Sequence, residues 1–182
     1  MHTRRLSTAD SDAPSPAEAL AALVELAGTD EARSLFAAIR LSIEQDAAMG
    51  VEWVKGAQVL HDLGQLDDDE FTYLVMIFTE EMVGTRVFTD PTLTDLMARI
   101  EAIEREHGLS EDETWSVGTG PTEWESLQQA WDNEFDRQWA QLLRDLGEPE
   151  IASQMTAGRD LLDAREERGR AFFFGPLEED GE

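Results

Sequence analysis

The chain has no cysteine, and among its 182 residues there is one lysine and one tyrosine. Without cysteine there are no disulfides, no thiolate metal sites and no cysteine nucleophile, a composition compatible with a reducing cytoplasm. Lys55 is the single lysine, so positive charge is carried almost wholly by arginine. The 14 basic side chains face 40 carboxylates, for a formal charge of -26. A surface of that sign repels phosphate backbones and anionic headgroups and attracts cations or basic protein patches. Nucleic acid and membrane are therefore excluded as expected partners. Long apolar runs are also missing, since the heaviest, Tyr73–Phe78, is far too short to span a bilayer. No targeting segment is evident: Arg4 and Arg5 precede a polar stretch, Ser7–Pro16. The expectation is a cytoplasmic protein.

What the chain does have is enough apolar material for a core. The apolar fraction is 41%, with five Trp and eight Phe, more large side chains than disordered sequences of this charge carry. The acid excess has two readings. Solvation in a high-salt cytoplasm is one, and a cationic partner is the other.

Residues 1–15, rich in Ser, Thr, Asp and Pro, read as a mobile leader. Ser15, Pro16 and Glu18 form a capping box with proline at the first helical position, and Leu20, Leu23, Val24 and Ala27 give the first apolar stripe. A second stripe follows a Thr29 or Asp30 cap through Leu35, Phe36, Ile39 and Ile43, with Gly50 as the expected kink before Val51–Leu63. Asp67 and Glu70 cap a third main helix that is apolar almost all round, the mark of a central element. Asp90-Pro91 opens a fourth, carrying Leu93, Leu96, Ile100 and Ile103. After a break at 109–121, Thr122 and Glu125 read as a capping box ahead of Trp124, Leu127, Trp131, Phe135, Trp139 and Leu142. Pro149 restarts a last helix to about Gly169. No segment alternates with period two, so the fold class is all-α, a single-domain bundle of about five to seven helices over residues 16–169. Residues 170–182 are expected to be an extended aromatic and acidic tail. Phe71, Leu74, Phe78, Ile100, Trp131 and Phe135 are the expected core. Val59–Leu74, reading VLHDLGQLDDDEFTYL, resembles the leucine–glycine–acidic–phenylalanine helical hairpins of many small bacterial interaction domains. The resemblance covers those residues alone and carries no family assignment.

Few motifs carry chemistry. Glu104 and His107 form Glu-x-x-His, which places both on one helical face as in helical di-iron proteins, and they are the candidate metal ligands. The competing reading is a histidine favoured by the dipole at a helix C-terminus. Asp67–Glu70 lacks the alternating oxygen ligands of a calcium loop, because Gly64 and Leu66 fall at ligand positions, so capping explains it. Gly118-x-Gly120 lacks the lysine of a phosphate loop. No nucleophile-elbow motif is present, and no cofactor is expected.

Charge is densest over residues 101–136. Eleven acids (Glu101, Glu104, Glu106, Glu111, Asp112, Glu113, Glu123, Glu125, Asp132, Glu134, Asp136) face one base, Arg105, for a net of -10. Glu111, Asp112 and Glu113 are the candidate contacts for a basic partner surface. Phe172, Phe173, Phe174 and Leu177 are candidates for docking a partner or second subunit, against the alternative of a strap packed over the bundle. The functional expectation is a non-catalytic, acidic helical interaction module (adaptor, regulator or inhibitor). The alternatives are a carboxylate–histidine metal protein, di-iron-like enzyme or carrier, and a structural or storage oligomer.

Overall fold

A computed structural model describes residues 13–176, and these form eight α-helices and no strand. They are α1 (Pro16–Glu25), α2 (Asp30–Gln45), α3 (Ala48–Asp62), α4 (Asp68–Gly84), α5 (Pro91–Glu106), α6 (Thr122–Asp145), α7 (Pro149–Ala157) and α8 (Arg159–Phe174). Residues 1–12 of the expected leader and 177–182 of the expected tail lie outside the described residues.

Four helix starts follow local chemistry. Ser15 and Asp67 each close a capping box with the glutamate three residues on, Glu18 and Glu70. Thr29 accepts from the Ala32 N–H, and Asp90 from Thr92 and Leu93. These bonds satisfy amides that have no partner inside the helix. The expected box at α6 does not form. Pro121 is the cap and Thr122 is already helical, so its hydroxyl lies outside the cap position while the Glu125 N–H bonds the Pro121 carbonyl at 3.0 Å.

There is one more helix than the upper expectation, and the breaks fall elsewhere than the glycine pattern implied. Asp46, extended at φ -149°, ends α2, and its carboxylate accepts from the Ala48 N–H at 3.1 Å to start α3. Gly50 is helical and buried, and a Cβ there would overlap the Met82 side chain of α4. Gly158 divides α7 from α8. Gly169 is not a stop either. It sits inside α8, where that helix crosses α4 so closely that a Cβ would overlap the Asp69 carbonyl oxygen and lie 2.6 Å from Tyr73 Cβ.

The last helix therefore runs to Phe174, five residues past its expected end. Its orphan carbonyls are taken up by neighbours: the Gly28 N–H donates to Phe173 O at 2.7 Å, and Arg33 Nη2 to Phe174 O at 2.9 Å. Gly28 has φ +82° at this α1–α2 junction, a conformation that glycine adopts without steric cost.

The central helix is α4. Ten of its residues are buried, and it packs against α2, α3, α6 and α8. Its two buried threonines are satisfied internally. Thr72 bonds the Asp68 carbonyl, and Thr79 bonds the Val75 carbonyl while accepting from Trp139 Nε1 at 2.7 Å.

Apolar burial comes in two parts. The main core joins α1–α4 with α7, α8 and the C-terminal half of α6. A small satellite of Ile100, Trp124 and Leu127, flanked by Leu96, Ile103, Trp115 and Trp131, holds α5 to the N-terminal half of α6. This division corrects two of the six expected core residues. Phe71, Leu74, Phe78 and Ile100 are buried, but Trp131 and Phe135 are half-buried. They lie where α6 passes from one cluster to the other, stacked on each other at 5.3 Å. Residues 91–131 thus form a two-helix arm with its own apolar seam.

Candidate functional site

The dense acidic region, residues 101–136, covers most of the arm and runs on into the next turn of α6. Glu101, Glu106, Glu111, Asp112, Glu113, Glu123, Asp132 and Asp136 are all exposed. Of the eleven acids, only Glu134 makes an ion pair among the described residues. Arg137 at 2.7 Å, helped by Gln138, pulls its carboxyl down to about 2. Desolvation raises Asp136 above the usual aspartate range, with Arg159 opposing and Asp132 adding to the rise. At the arm's far end, a cleft of about 310 Å³ is lined by Glu101, Glu104, Arg105, Leu109, Ser110 and Glu111. Val117, in the loop joining the two helices, is 89% exposed.

The loop is held by carboxylates. Glu113 accepts from the Ser110 N–H at 2.9 Å and from its hydroxyl at 2.8 Å, and these bonds lower its pKa. Glu104 Oε1 accepts from Trp124 Nε1 at 2.9 Å and from Thr114 Oγ1 at 2.6 Å. Trp115 closes the end edge-on to Trp124 at 5.5 Å and to His107 at 5.4 Å.

Each member of the candidate metal pair makes contacts of its own within the fold. Glu104 holds the loop on α6. His107 is exposed at the C-terminal cap of α5, its Nδ1 lying 2.9 Å from the accepting Ile103 carbonyl. Among the described residues, no three His, Asp or Glu side chains gather in a geometry that could hold a metal ion. Glu111, Asp112 and Glu113 lie together and exposed on the loop.

The aromatic run divides. Phe173 is fully buried, touching Tyr73 at 6.1 Å between centroids, and Phe174 packs on Phe36 at 5.0 Å. Phe172 remains 40% exposed. Two of the three phenylalanines are therefore engaged within the fold, and Leu177 lies outside the described residues.

Two further clefts arise only when distant helices pack together. One, of about 540 Å³, is lined by residues that include His61, Asp67, Asp68, Glu148, Glu150 and Arg165. There His61 stacks on Phe71 at 4.4 Å and bonds Asp68 at 2.8 Å, while Arg165 reaches the Asp68 carbonyl and Asp69. The other gathers Arg33, Arg40 and Arg170 around Tyr73. Its only signal in the sequence is a helical spacing, Arg33 and Arg40 with Phe36 between them, interpretable only once α8 is known to continue to Phe174.

No helix among the described residues is long and apolar enough to cross a membrane. No family model matches the chain, and neither the curated proteins nor the solved structures include a significant match to it.

Proposed function

We propose that the protein is a non-catalytic helical interaction module that docks a basic surface of a partner protein on its α5–α6 arm. The observation that carries this reading is the arm itself. Of the eleven acids of residues 101–136, eight lie on the arm and none of those eight makes an ion pair among the described residues, so their field is left for something outside the chain. The main bundle supplies the stability, and the arm, with its own small apolar seam, presents charge and an exposed Val117 at its end. The cleft lined by Glu101, Glu104 and Glu111, with Leu109 in its wall and Arg105 as its one cation, keeps three carboxylates against one guanidinium and so can accept one further arginine or lysine side chain, the apolar stem against the leucine and the head among the carboxylates. A field of one sign concentrates on encounter: it raises the association rate and is screened by salt, with a Debye length of about 10 Å at ~0.1 M.

The test is capture from the native host on the wild-type chain and on a variant with Glu111, Asp112 and Glu113 changed to lysine, at low and high salt. The expected result is a partner rich in Arg or Lys that is retained by the wild type at low salt, released at high salt and lost by the variant. A partner retained equally by both chains refutes the reading.

A further inference from the structure

We propose that the cleft between α2, α4 and α8 is a binding site for an aryl carboxylate, a singly charged anion on a flat apolar body. The cleft is lined by Arg33, Phe36, Ala37, Arg40, Tyr73, Arg170 and Phe174 and measures about 370 Å³. That volume is within the usual span for small-molecule sites, about 300–1,000 Å³. The inference does not depend on the acidic arm.

Three observations point to this ligand class. First, the lining holds three aromatic rings packed on one another: Phe36 stacks on Tyr73 at 5.9 Å and 22°, and Phe174 meets Phe36 at 5.0 Å and Tyr73 edge-on at 6.3 Å. A flat ring added there continues a cluster already built from offset and edge contacts. Second, three of the chain's 14 basic side chains converge on this one opening, in a protein whose surface is otherwise acidic. Third, Tyr73 is only 7% exposed, yet its hydroxyl has no hydrogen-bond partner among the described residues. That hydroxyl is not sealed in, since the one fully buried side-chain nitrogen or oxygen left without a partner there is Trp131 Nε1. Tyr73 lines the cleft, and both Arg40 and Arg170 act electrostatically on its hydroxyl, which places that donor beside the two guanidinium groups.

The arginines keep donors in reserve. Arg33 spends Nη1 on Asp30 and Nη2 on the Phe174 carbonyl. Arg40 turns Nε and Nη2 to Glu81, and Arg170 turns the same two atoms to Glu167. Nη1 of both Arg40 and Arg170 is left free of protein partners among the described residues. Each guanidinium has five N–H donors in a planar fork, so an incoming carboxylate can be met without breaking these pairs. The pairs also decide the ligand's charge. Asp30, Glu81 and Glu167 already balance the three arginines, with Glu44 and Glu166 close by. A multiply charged phosphate would meet no net positive field there, since five carboxylates surround the three arginines. A carboxylate needs only two or three directed N–H or O–H donors, and its ring supplies the buried area.

The experiment is titration calorimetry on the full chain with three probes: 2-naphthoate, its neutral alcohol analogue and acetate. Saturable one-to-one binding of naphthoate is expected, with the alcohol and acetate each at least about tenfold weaker, the weight of one charge-assisted contact. Arg170→Gln and Tyr73→Phe should each weaken naphthoate about tenfold, while their thermal melts stay close to wild type. Charge reversal at Glu111, Asp112 and Glu113 should leave naphthoate binding unchanged. Equal affinity for naphthoate and the alcohol, wild-type affinity in both the Arg170 and Tyr73 variants, or no saturable binding at millimolar probe would each overturn the proposal.

Discussion

Replacing Gly169 by alanine tests the packing of the bundle at its tightest crossing. In an isolated helix the change is favourable by about 1 kcal/mol, because glycine is a poor helix former. Here the new Cβ overlaps the Asp69 carbonyl oxygen and lies 2.6 Å from Tyr73 Cβ, against an optimum of about 3.5–4.0 Å between carbon atoms. The obstacle on one side is backbone, which has no rotamer to adopt. Helix α8 must therefore withdraw from α4 by about 1 Å. The withdrawal strains Arg165 and Arg168 on Asp69 and the seat of Phe173 beside Tyr73. Overpacking costs about 1–3 kcal/mol, and with backbone as the obstacle the upper part of that range, about 2–3 kcal/mol, applies; less the propensity gain of about 1 kcal/mol, a net loss of about 1–2 kcal/mol is expected. Urea unfolding followed by far-ultraviolet circular dichroism measures it as a lower midpoint with an unchanged slope. Gly84→Ala is the control. Gly84 ends α4 in open space, where an added Cβ meets no atom within 4 Å, so the midpoint of that variant should rise slightly. A Gly169→Ala chain as stable as the wild type would refute the close crossing.

Phe173→Ala should destabilise by about 3–5 kcal/mol by emptying a fully buried site, while Phe172→Ala, at an exposed ring, should change the melting temperature little. Glu104→Ala should cost about 1–3 kcal/mol by stranding the buried Trp124 N–H, and Glu104→Gln should restore most of it, with chelators making no difference to either. Glu166 has its pKa raised to about 7, chiefly by desolvation, with Arg159 opposing and Asp163 and Glu80 reinforcing. Its folded-state pKa is above the unfolded value of about 4.3, so the folded state holds the proton more tightly. The associated stability is complete below the unfolded pKa and is lost as pH rises through about 7. Glu166→Gln should therefore stabilise at pH ~8 by about 1 kcal/mol, after allowance for solvent screening, and have little effect near pH ~4. Denaturant midpoints at the two pH values read this directly.

The all-α class and most helix starts were legible because they rest on local chemistry. Ser15, Thr29, Asp67 and Asp90 satisfy amides within three residues of themselves, and the nearly continuous apolar surface of α4 announces a central helix. The misreadings share one cause. Gly50 and Gly169 look like helix breakers, yet each is small because another helix lies against it. That demand comes from a partner helix far away in the sequence. Placing the end of α8 near Gly169 turned Phe172–Phe174 into a tail and hid its last turn, whose carbonyls are held by Gly28 and Arg33. Trp131 and Phe135 continue a stripe whose neighbours are buried, but the stripe crosses from one apolar cluster to another, a feature that periodicity does not record. The acidic arm was visible as composition. The arginine cleft was not, since it needs α2, α4 and α8 brought together.

Docking of a basic protein surface on the acidic arm by electrostatic attraction has a kinetic signature. The most direct test is the association rate of the captured partner with the full chain, measured from about 0.05 to 0.5 M salt, beside the chain carrying lysine at positions 111, 112 and 113. The wild-type rate should fall steeply with salt, the variant's should be slower and flatter, and dissociation rates should differ less than association rates. A wild-type association rate indifferent to salt, or equal in the two chains, would contradict electrostatic docking.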